Sequence, residues 1–190
     1  MKSIFYLFML LGTSAIFSSN KSVVLVEKYF GEITLSDSTQ MVHTIQSFLH
    51  WYQKNYDEVQ TFRLTFTNKS GQYQVDTTAC NAYLKYLQSS GYLSEVYVGL
   101  WRDYFTSKAE SFVQFPQFEG PPEGFDFDLI VLTQEPELLL NFIENLTFEI
   151  VASTKNKAVV LASGEWPYLF EMNKEGGRWL IEYISIREPE

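Results

Sequence analysis

Cysteine is almost absent. Cys80 stands alone in 190 residues, so no intramolecular disulfide can form. Small secreted animal proteins usually carry a disulfide framework; with the export signal below, its lack points to a bacterial periplasm. Histidine is nearly as scarce. His43 and His50 sit seven positions apart on one predicted helix, and the helical rise separates them by roughly 10 Å. One metal cannot reach both. With a single cysteine elsewhere no zinc site is expected, and both imidazoles read as surface groups. Cys80 falls on the apolar face of its helix and reads as a small buried hydrophobe rather than a nucleophile.

Basic residues are few, 14 Lys and Arg against 23 Asp and Glu, for a net charge of −9. They are scattered, without the stripe that neutralises phosphates, which excludes a nucleic-acid binder. An anionic membrane surface is disfavoured for the same reason. The charge suits a cationic ligand or a basic partner, although solubility alone explains it as simply.

Long apolar runs are missing too. The longest lies at the start, Ile4 to Leu11, and is shorter than the ~20 residues of a membrane span. Lys2 precedes it, and Thr13 and Ala15 offer small residues for a peptidase, with Ser18 as an alternative cut. This is the pattern of a secretory signal peptide, assigned to residues 1–19. No cysteine follows that would take a bacterial lipid anchor. The Asn20, Asn68 and Asn145 triplets would be glycosylated only in a eukaryotic route. There is no G-x-S-x-G elbow. Gly120-Pro121-Pro122-Glu123-Gly124 lacks the Lys-Ser/Thr of a phosphate loop. No cofactor and no metal is expected.

What the chain has is apolar and aromatic side chains, 46% and 17% of its residues. A chain near this length buries roughly 70% of its extended surface, enough for one domain with a real core. Residues 20–35 read as an extended lead-in and 36–190 as a single domain. Asp37 and Gln40 resemble a capping box. After them Met41, Val42, Ile45, Phe48, Leu49, Tyr52 and Tyr56 recur at helical spacing. Phe62, Leu64 and Phe66, a turn at 68–71, then Tyr73 and Val75 predict a hairpin. Asp76 caps a helix over 77–89 that Ser90-Gly91 ends. A third helix, about 94–112, shows Tyr97, Trp101, Tyr104, Phe105 and Phe112.

Beyond a Pro- and Gly-rich loop at 116–124 the period becomes two. Phe125 to Leu132 reads as extended, 138–145 as a short helix, and 147–153, 157–163, 168–173 and 179–186 as strands joined by short turns, hence antiparallel. Helices followed by a meander make the fold class α+β, with helices packed on one face of the sheet. In the last strand Trp179, Ile181 and Tyr183 point opposite to Leu180, Ile184 and Ile186. This predicts that both sheet faces are partly covered, or that a free face binds something.

Asp126 and Asp128 are the candidate chemical pair. On a strand they would point to one side, and burial with like-charge repulsion would hold one protonated. Glu123 and Glu135 could add oxygen ligands for a hard cation. The plainer reading is that the aspartates bind backbone amides at a strand entry. Tyr83, Trp101, Tyr104 and Trp166 could floor an apolar pocket, or could be simple core. Arg102, Asp103 and Glu182 read as exposed.

The run Tyr83-Leu84…Leu87…Ser90-Gly91-Tyr92-Leu93-Ser94, the aromatic third helix, Gly124-Phe125-Asp126-Phe127-Asp128, Gln134-Glu135 and Gly177-Arg178-Trp179-Leu180-Ile181 together resemble an uncharacterised family of secreted bacterial proteins. That family is placed with the nuclear-transport-factor-like and cystatin-like cone folds. The resemblance spans about Ser36 to Ile186. It implies a curved antiparallel sheet wrapped around helices, often with a cavity at the wide end. The superfamily includes ketosteroid isomerases, dehydratases and binding or dimerisation modules, so the fold does not choose among functions. The sequence thus leads to an exported binding module for a small apolar ligand or a partner protein, one variant being an acidic inhibitor of a basic toxin. The alternatives are a cofactor-free isomerase or dehydratase using Asp126 or Asp128, and a structural dimerisation domain.

Overall fold

The computed structural model describes residues 34–187; the expected signal peptide and most of the lead-in lie outside them. Helix α1, Leu35–Lys54, begins on Thr34 rather than on Asp37. The Thr34 hydroxyl accepts the Asp37 N–H at 3.1 Å, and the Asp37 carboxylate accepts the Thr34 N–H at 3.3 Å. The box is Thr-x-x-Asp, three residues earlier than the sequence reading, because Asp37 is the acid that closes it and not the cap. Met41, Ile45, Phe48, Leu49 and Tyr52 form the buried stripe. A one-turn helix α2, Tyr56–Val59, follows, then the hairpin of β1, Thr65–Thr67, and β2, Tyr73–Val75.

Asp76 caps α3, Thr77–Gln88, by accepting the Ala79 N–H at 2.9 Å. Cys80, Tyr83, Leu84 and Leu87 are buried on it as expected. Burial pushes the Cys80 thiol up to about 12, away from the thiolate form that a nucleophile uses. Ser94 caps α4, Glu95–Gln114. After a loop come α5, Glu137–Leu140, a 3-10 turn at Ile143–Asn145, and four strands: β3 Thr147–Ser153, β4 Lys157–Ser163, β5 Tyr168–Glu175 and β6 Arg178–Ile186. They form one antiparallel sheet in the order β3-β4-β5-β6. The fold class is α+β as read from the sequence, with helices first and the meander last.

Cross-strand register builds the core in rows. Phe148, Ala162, Tyr168 and Ile186 pair across the sheet, as do Ile150, Val160, Phe170 and Ile184, and then Ser153, Ala158, Met172 and Ile181. Helices α1 and α4 contact β6. The alternation that slipped in the sequence is explained by a bulge. Glu171 pairs with Tyr183 and Met172 with Ile181, leaving Glu182 as an extra residue. One inserted residue shifts the phase by one, so Trp179, Ile181, Ile184 and Ile186 all share the inner face, contrary to the split expected. Glu182 is not exposed either: its side chain is 13% accessible and pairs with Lys157.

The two edges of the sheet differ. On β6, the Ser94 N–H donates to the Ile181 carbonyl at 2.9 Å and the Ile181 N–H to the Tyr92 carbonyl at 2.8 Å. Residues 92–94 thus lie along it in parallel. Thr44 adds a bond to the Trp179 carbonyl at 3.3 Å. Among the described residues nothing pairs with the outer edge of β3. A second lock joins α1 to the sheet: the Asp37 carboxylate accepts from Trp179 Nε1 at 3.0 Å and pairs with the Lys174 ammonium. These two partners, Lys174 foremost, hold its carboxyl well below the usual carboxylate range.

Candidate functional site

The stretch Phe125 to Leu132 is not a strand. It closes a loop in which Asp128 pairs with Thr133, the Asp128 N–H donating to the Thr133 carbonyl at 2.8 Å. The reason lies in the Asp128 side chain. Its Oδ1 accepts the N–H groups of Ile130 and Val131, both at 2.9 Å, and so folds the chain into a turn of the Asx kind instead of an extended run. Its Oδ2 accepts the Tyr52 hydroxyl at 2.6 Å and the Gln60 amide at 3.3 Å. Leu132 sits at φ 56° to complete the turn.

The expected pairing of Asp126 with Asp128 is therefore overturned. Asp128 is 9% exposed, whereas Asp126 is on the surface, because a turn does not keep alternate residues on one side. Burial raises the Asp128 carboxyl above its ordinary value, against the pull of its four donors. Glu123 does not join them; it sits 3.8 Å from Lys108. Among the described residues no group of three His, Cys, Asp or Glu is placed to hold a metal. His50 lies 3.0 Å from Glu144 at the surface, and His43 is exposed as well.

The four aromatics expected to floor one pocket go to three places. Tyr83 is buried, edge-on to Phe62 and Phe105 with centroids 5.9 and 6.2 Å away. It lines a polar cleft of about 240 Å3 with Gln60, Arg63, Thr65 and Asp128. Burial, with Tyr97 and Asp128 nearby, pushes its hydroxyl pKa well up. Trp101 and Tyr104 belong to an aromatic ladder on α4, centroids 5.1 Å apart, that continues through Phe105 to Phe125. The Tyr104 hydroxyl donates to the Gly124 carbonyl at 2.7 Å, and burial moves it up to about 12. Gly124, at φ 84°, has no room for a Cβ against this hydroxyl. Tyr104 thus holds the loop, Trp101 packs against Tyr104 and Phe105, and neither lines the cleft.

Trp166 lines a different cavity. Leu138, Leu139, Phe142, Leu146 and Tyr168 form with it an apolar groove of about 210 Å3 between the α5 segment and the β4–β5 connection. Phe142 and Trp166 remain 53% and 47% exposed at its rim. The Tyr168 hydroxyl is turned away and donates to the Val131 carbonyl at 2.7 Å, so the tyrosine presents a ring and not a polar tip. Gly164 keeps the groove open, since a Cβ there would meet Leu146 at 2.7 Å. Sequence reasoning named Trp166 but not the groove. The available signal was Leu138-Leu-Leu-Asn-Phe-Ile, which has more apolar residues than one short helix can bury.

Among the described residues no helix is long and apolar enough to cross a membrane. No family model, no curated protein and no solved structure matches the chain.

Proposed function

We propose that this protein is a binding module, exported as its N-terminus suggests, that takes an apolar side chain of a partner protein into the groove between Phe142 and Trp166. The carrying observation is that groove itself: apolar walls, two half-exposed aromatics at the rim, and a volume of about 210 Å3. Sites for whole small-molecule ligands run to roughly 300–1,000 Å3. This one fits a single side chain, the anchor-in-pocket arrangement of protein interfaces. The polar cleft supports turnover less well. All four hydrogen-bond positions of the Asp128 carboxylate are taken by the protein, and an acid–base group must reach its substrate.

An isolated anchor burying ~150–200 Å2 gains about 4–5 kcal/mol, equivalent to Kd near the millimolar range. Titration of the 15N-labelled protein with N-acetyl-tryptophanamide is expected to shift amides in 138–146 and 164–168. The shifts should vanish in Trp166→Ala. Shifts centred instead on 60–65 and 125–129, or none at tens of millimolar, would reject the assignment.

A further inference from the structure

The groove carries a second message in its charges. The two segments that build it, Thr133–Ser153 and Ala158–Phe170, contain Glu135, Glu137, Glu144, Glu149 and Glu165 and not one Lys or Arg. Glu165 lines the groove directly, and Glu144 is exposed with His50 beside it. Of the lysines that border the sheet, Lys157 pairs with Glu182 and Lys174 with Asp37, and Lys155 lies in the β3–β4 turn, at the end of β4 opposite to Gly164 and Trp166. Arg187 adjoins the groove through its amide, which donates to the Pro167 carbonyl at 2.8 Å, and it is followed in sequence by Glu188 and Glu190. An apolar slot set in a carboxylate field selects for a particular occupant. Opposite charges across an interface steer encounter and reject partners of the wrong sign.

Resting on the binding-module reading above, we infer that the segment held by this groove is cationic: an apolar anchor flanked by lysine or arginine. A second copy of the chain fits poorly. Each copy carries a net charge of −9, and a two-fold contact through the groove brings the same carboxylates face to face. A neutral hydrophobic segment would bring no counter-charge to Glu165 at the groove.

Three capped pentapeptides with a central tryptophan test this, flanked on both sides by lysine, serine or glutamate pairs, each titrated into the full chain by NMR. The lysine peptide should bind roughly tenfold tighter than the serine peptide at low salt, with the glutamate peptide weakest. The gap should close as added salt screens the rim. Glu165→Gln should lower affinity for the lysine peptide about threefold and leave the serine peptide unchanged. Equal affinities for the lysine and serine peptides overturn the charge inference and leave the apolar anchor standing. Failure of all three peptides to shift the groove amides removes the binding-module reading itself. A concentration-dependent dimer that Trp166→Ala dissolves would give the groove to a second copy and overturn the cationic partner.

Discussion

Asp128→Ala should open the loop that the carboxylate holds, and its cost can be worked from the bonds. Truncation leaves the buried N–H groups of Ile130 and Val131 without the acceptor they share. An unsatisfied buried group costs about 1–3 kcal/mol. The Tyr52 hydroxyl and Gln60 amide lose a partner too, but both line the cleft, where water can replace it. The two together come to about 2–6 kcal/mol. Asp128→Asn keeps one oxygen for the two backbone amides and removes the burial of charge, so it should cost less than about 1.5 kcal/mol. Urea denaturation measures both, and hydrogen exchange at the Ile130 and Val131 amides should accelerate in the alanine variant alone. The pH profile adds a sign. Because the folded carboxyl is raised above 3.8, its stability contribution is complete below the unfolded value and is lost as pH rises through the folded value. Wild type should therefore gain on Asp128→Asn as pH falls from neutral toward 4. An alanine variant within 1 kcal/mol of wild type, or an asparagine variant equally damaged, would refute the reasoning.

Asp37 titrates with the opposite sign: held low by Lys174 and Trp179, it contributes stability above the ordinary carboxylate value that is lost as pH falls through its folded value. Asp37→Asn should remove that acid-side loss, as followed by thermal melts below pH 4. Gly124→Ala should cost about 1–3 kcal/mol, because an L side chain is strained at φ 84° and meets the Tyr104 hydroxyl; a melting temperature equal to wild type would contradict this. Deleting Glu182 removes the bulge yet leaves Ile184 and Ile186 facing inward. The shortened chain should fold with a loss under about 1.5 kcal/mol, whereas deleting Ile184 should abolish cooperative unfolding.

The helices were legible because their cues are local. Asp76, Ser94 and the stripes at Met41–Tyr52 and Cys80–Leu87 each act within a few residues, and packing had only to agree with them. The segment from Phe125 to Leu132 was misread for a reason equally physical. Its alternating Phe and Asp match a strand, but the Asp128 side chain competes for the backbone amides two and three residues on and wins. The same capture dissolved the expected Asp126–Asp128 pair. The bulge at Glu182 left only a slipped alternation in the sequence; which residue is inserted is recorded in the register with the neighbouring strand. The groove depended on two connections meeting in space, so Trp166 and the apolar run from Leu138 were each legible along the chain while their meeting was not.

Residues 92–94 seal one flank of the sheet while β3 leaves the other open. Among the described residues a visiting strand accordingly has a single berth on this sheet. Two chains that met along β3 would each cover the one edge of this sheet left open among the described residues, so growth along it halts at a pair.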